Sequence, residues 1–72
     1  MTDQEDIAAR ADLISRMFAM LTARLEDAAA LAADGQGRHD NAELIDAARR
    51  LISLAEDAGT VATAIDVLLT TD

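Results

Sequence analysis

The sequence predicts an all-α protein, a two-helix antiparallel hairpin of coiled-coil type that assembles into a helical oligomer. Three observations carry that expectation. Apolar residues recur at alternating steps of four and three along two stretches of equal length, the pattern of a coiled-coil seam. The one glycine-rich segment, Gly35-Gln36-Gly37, falls between those stretches. Proline, cysteine, tyrosine and tryptophan are absent, and alanine, the strongest helix former, is the commonest residue.

The first helix is expected over residues 3–34. Thr2 and Glu5 stand at capping-box spacing, at which each side chain accepts from the other's free backbone N–H. Asp3, Glu5 and Asp6 suit the positive end of the helix dipole. Ile7, Ala11, Ile14, Phe18, Leu21, Leu25, Ala28 and Ala32 then form the seam. Arg10 after Asp6 and Arg16 after Asp12 have the stabilising acid-first order at i,i+4.

The turn is expected at 35–40, with a left-handed glycine at Gly35 or Gly37 closing the helix. Asp40 with Glu43 repeats the capping box and opens a second helix over 41–70. Its seam is Leu44, Ala48, Leu51, Ala55, Ala58, Ala62, Ile65 and Leu69. Two matched seams joined by a short polar turn fold back on each other, so 1–72 reads as one helical-hairpin domain. Gly59 interrupts the second helix at a cost of about 1 kcal/mol relative to alanine. It either permits close backbone approach or ends the helix, leaving a third from about residue 60 to 70.

A second stripe lies beside each seam. Leu13, Met17, Met20 and Leu31 flank the first. Ile45 and Ile52 lie on one side of the second, with Leu54, Val61 and Leu68 on the other. One hairpin covers one stripe per helix, and uncovered apolar stripes of this length mark interfaces. The expected oligomer interface is therefore Leu13, Met17, Met20, Leu31, Leu54, Val61 and Leu68. Size points the same way: a chain of 72 residues has a marginal core and needs disulfides, a metal or a partner. Without cysteine and with His39 as the only histidine, a partner or self-association is what remains.

Net charge is −8, lysine is absent, and no arginine follows Arg50. Phosphate binding rests on clustered cations, so direct nucleic-acid binding is expected to be weak or absent. Any contact of that kind, or with an acidic partner, falls to Arg38, Arg49 and Arg50. The opening Met1–Asp6 is acidic where a signal peptide is basic, and no apolar run reaches the ~20 residues that span a bilayer. A cytoplasmic protein without membrane contact is expected.

No catalytic, cofactor or metal site is expected. Glu26-Asp27 and Glu56-Asp57 are sequence neighbours that do not share a helix face. Asp34, Asp40 and Asn41 lack calcium-loop spacing. His39 is placed at the hairpin tip, in water, and no serine or threonine has a base partner. Ala55-Glu56-Asp57-Ala58-Gly59 with Ile65 resembles the turn of a helix-turn-helix, yet residues 60–72 carry no basic side chain, and a recognition helix needs donors.

Two long alanine-rich helices around a short glycine turn, with Ala23-Arg24-Leu25-Glu26 before it and Asp46-Ala47-Ala48-Arg49-Arg50-Leu51 after it, resemble the oligomerisation hairpin of small terminase subunits of tailed phages and gene transfer agents. The resemblance spans Ile7 to Leu69 and is architectural; the family's basic N-terminal DNA-binding domain has no counterpart here. It implies a non-enzymatic DNA-packaging subunit, homo-oligomeric, acting through protein contacts with a large terminase. A competing expectation is an acidic phage-type inhibitor or nucleic-acid mimic, anti-CRISPR-like or antitoxin-like. A third is a bare assembly or adaptor module that binds a partner helix.

Overall fold

The computed structural model describes residues 2–37 and 39–71. It consists of two α-helices, α1 over Thr2–Gly35 and α2 over Asn41–Thr70, packed antiparallel against each other, with no strand among the described residues. The hairpin is a rod of 60 × 16 × 11 Å with a radius of gyration of 17.0 Å. A compact domain of this length has about 11 Å, so most of the chain lies near the surface.

The turn differs from the expected form. No described residue, glycine included, has positive φ, so α1 does not end on a left-handed glycine. It tightens instead into i→i+3 bonds, Gln36 N–H to Ala33 O at 3.1 Å and Gly37 N–H to Asp34 O at 3.0 Å, one of the ways helix ends satisfy their last carbonyls. His39 completes the closure. Its Nε2 lies 2.8 Å from Asp34 O and its Nδ1 2.8 Å from Glu43 Oε2. The expectation of a wet tip histidine is thus corrected: its side chain is only 25% exposed and ties the end of α1 to the start of α2.

Half of the second capping box forms. Asp40 caps α2 in extended geometry and accepts from Glu43 N–H at 2.8 Å. The Glu43 carboxylate turns to His39 rather than back to the Asp40 N–H, because a charged partner offers the stronger bond. The Thr2 side chain lies outside the described part of the structure, and with it the Thr2–Glu5 box. Helix α2 runs without a break through Gly59, so there is no third helix.

The half-covered positions trace the seam between the helices. On α1 they are Ile14, Met17, Leu21, Arg24, Ala28, Leu31 and the terminal Gly35; on α2 they are Ala47, Leu51, Leu54, Val61, Ala64 and Leu68, with Ala58 and Ile65 buried between them. This corrects the expected frame. Ile14, Leu21, Ala28, Leu51, Ala58 and Ile65 hold their places. Phe18, Leu25, Ala48, Ala55, Ala62 and Leu69 face outward, and Met17, Leu31, Leu54, Val61 and Leu68, expected at an oligomer interface, fill the hairpin's own seam. The physical reason lies on α2. Leu54, Val61 and Leu68 bury far more apolar area than Ala48, Ala55 and Ala62, and turning them inward rotates α1 so that Met17 and Leu31 meet them. Arg24 then falls at a seam position, where its methylene stem can pack while its head stays wet.

Of the expected ion pairs, Arg16–Asp12 forms at 2.5 Å. No Asp6–Arg10 pair forms among the described residues; Arg10 Nη2 instead approaches Thr71 O across the open end at 3.4 Å. That carbonyl closes α2, where a cation complements the dipole.

Candidate interaction surface

With the seam fixed, each helix has two flanks, and an antiparallel pair places like flanks on the same side. The groove at the open end shows the first side. Ile7, Arg10, Ala11 and Ile14 of α1 line it together with Leu69 of α2, in a volume of about 370 Å³. Stepping forward along α1 from Ala11 by heptads gives Phe18, Leu25 and Ala32; stepping back along α2 from Leu69 gives Ala62, Ala55 and Ala48. Every one of these positions is exposed. One step further out on the same side lie Ala8, Ser15, Thr22 and Ala29 on α1, and Ile45, Ile52, Gly59 and Asp66 on α2, all likewise exposed.

This side is almost free of charge. Of the sixteen positions in these rows only Asp66 is ionisable, with Arg10 beside them in the open-end groove, although the chain carries twenty acidic and basic groups in all. Large apolar side chains stand open on it: Phe18 is 49% exposed, Leu25 55%, Ile52 58% and Leu69 57%. Thr22 donates its hydroxyl to Phe18 O at 2.9 Å within its own helix. That hydroxyl needs no water, so covering the face costs little polar desolvation.

Gly59 lies in the outer row of α2, about midway along the rod, where it borders a shallow groove with Glu56, Thr60 and Thr63. A Cβ built there meets nothing within 4 Å, and the backbone is ordinary helix with negative φ. Nothing inside the hairpin requires a glycine, yet alanine at this position would stabilise the helix by about 1 kcal/mol. The cost is unexplained within one copy.

The opposite side is charged. Asp27 and Asp34 of α1 and Arg50 and Ser53 of α2 rim a second groove, floored by Leu31 and Leu54, of about 560 Å³. Leu13 and Met20, expected at the oligomer interface, are exposed on α1 on this side, 46% and 48%. The expected cationic contacts separate here. Arg50 shares its groove with two carboxylates, Arg49 points about 100° away as the next residue of a helix, and Arg38 lies outside the described residues. No basic cluster forms among the described residues of one chain.

The acidity of His39 is shifted by its two partners. The Glu43 carboxylate, then the Asp34 carbonyl, raise its pKa above the ordinary 6.5, against a smaller opposing effect of burial. Both ring nitrogens face acceptors, so the site favours the imidazolium, which offers two N–H donors. The threonine hydroxyls of α2 are spent within the helix: Thr60 on Glu56 O, Thr63 on Gly59 O and Thr70 on Asp66 O. Among the described residues no three carboxylate or histidine groups gather to hold a metal ion, and no helix is long and apolar enough to cross a membrane.

The neutral face was missed because its residues were spent on the seam or seen as separate flanks. The signal that finds it is negative: of the sixteen face positions named above, fifteen carry no charge. No family model matches this chain, and no curated protein or solved structure matches it either.

Proposed function

We propose that this protein is a non-enzymatic assembly module that enters a larger helical complex through its neutral face. One observation carries the reading: a side with almost no charge and several exposed apolar residues runs the length of a hairpin whose own core is two buried side chains, Ala58 and Ile65. Apolar patches of this extent on a small protein are interaction surfaces, and the hairpin has too little core to spare them for anything else.

A packaging subunit of the small-terminase kind is the concrete form of this reading. Its support is the architecture, two long alanine-rich helices about a short turn, together with an acidic chain that would act on a DNA-handling machine through protein contact. Arg50 beside Asp27 and Asp34 makes a poor phosphate ligand.

The test is co-purification of the full chain with the packaging proteins encoded beside it, the large terminase above all, in parallel with Phe18→Glu combined with Ile52→Glu. Both substitutions place charge on the neutral face while leaving the seam intact. Association that the double variant abolishes, with helix content retained by circular dichroism, supports the reading. Association that survives the double variant overturns the face as the docking surface.

A further inference from the structure

We infer that the neutral face is covered by a second copy of this chain, with α1 of each copy lying antiparallel on α2 of the other, so that two hairpins close into a four-helix bundle. This rests on the assembly reading and names the partner.

Charge selects the occupant. Each copy carries −8, so two copies meet without opposing like charges only through a face that carries almost none. A basic or an acidic partner would find no complement there, whereas an identical neutral face is its own complement, as a two-fold interface requires.

Size gives the register. Ala11 and Leu69 line one groove within a single copy, so they are level along the rod. A two-fold axis along the rod keeps levels unchanged and lays Ala11 of one copy against Leu69 of the other. One heptad on, Phe18 comes against Ala62; another heptad on, Leu25 comes against Ala55. Each bulky side chain meets a small one, the alternation that lets packed layers interdigitate. Phe18 sits over the stretch from Gly59 to Ala62, where the glycine with open space above it gives the ring room. The glycine that one copy does not need has its use in two.

Area agrees. The single hairpin exposes 5595 Å², against about 4,300 Å² for a typical folded monomer of its mass. A standard stable interface takes about 800 Å² from each partner, which the surplus can supply.

The experiment is sedimentation of the purified full chain at micromolar concentration, with Gly59→Leu beside it. The expected result is a species of twice 7.6 kDa for the native chain. Gly59→Leu should stay helical, since leucine is a strong helix former and has space in one copy, and should dimerise about tenfold or more weakly. Oxidation of a mixture of Leu25→Cys and Ala55→Cys chains should give the mixed disulfide in preference to either like pair. A monomeric native chain, native-like dimerisation of Gly59→Leu, or a preferred Leu25→Cys like pair each overturns the arrangement. A monomer that still binds a packaging protein through Phe18 and Ile52 overturns the second copy alone and leaves the assembly reading standing.

Discussion

Ile65 and Ile52 are the same residue type in the same helix, two heptads apart less one position, and they should respond oppositely to truncation. Ile65 is 4% exposed in the seam, whereas Ile52 is open on the neutral face. Ile65→Ala removes about three methylene-sized groups from a covered site, about 2.4 kcal/mol at ~0.8 kcal/mol each. A residual cavity brings the total toward the 2–5 kcal/mol seen for such changes. A domain of this length has about 4–10 kcal/mol in all, so the variant should lose a large share of its stability. Ile52→Ala in a single copy removes little buried area and gains helix propensity, so its effect should stay within about 0.5 kcal/mol. The assay is urea unfolding followed by circular dichroism at low and high protein concentration. At low concentration only Ile65→Ala should shift the midpoint; at high concentration Ile52→Ala should also fall below the native chain as association contributes. Equal shifts for the two variants at the lowest concentration would refute the division of α2 into a seam and an open face.

His39 should make the hairpin's stability depend on pH. Its folded pKa lies above 6.5, so its contribution is fully present below the unfolded value and is lost as pH rises through the raised folded value; the difference between native and His39→Gln unfolding curves should shrink between mildly acidic and alkaline solution, and a constant difference would exclude the clamp. Arg24→Leu should stabilise the hairpin by about 1–2 kcal/mol, since it replaces a half-covered cation in the seam with an apolar side chain, and thermal unfolding will show it. Double-stranded DNA should not shift in a gel with the native protein at about 0.15 M salt; tight binding that survives alanine at Arg38, Arg49 and Arg50 would overturn the charge reading.

The hairpin itself was legible because its signals are local and strong: two heptad patterns, a glycine turn between them, and Asp40 three residues before Glu43. The rotation of each helix was not. Residues Ile14, Leu21 and Ala28 belong equally to a frame completed by Phe18 and Leu25 and to one completed by Met17 and Leu31. Read alone, α1 favours the former, because the latter puts Arg24 in the seam. The choice is made jointly, and α2 outweighs α1 with Leu54, Val61 and Leu68. The role of His39 was hidden for a different reason. Asp34, His39 and Glu43 are neighbours only once the turn is drawn, and a glycine-based closure was the simpler reading of Gly35-Gln36-Gly37.

Where the core sits has a consequence for how the chain folds. Ala58 and Ile65 occupy the half of α2 remote from the turn, and the tie between Arg10 and Thr71 joins the far ends. The turn contacts around His39 are local and form at small entropic cost, but they bury little. Zipping from the turn therefore proceeds uphill until the helices have closed most of their length, when burial at Ala58 and Ile65 at last outweighs the loss of chain freedom. The barrier should be late, with a folding limb steeper than the unfolding limb in a chevron. Substitutions at the turn should then slow folding, while those at Arg10 should chiefly speed unfolding.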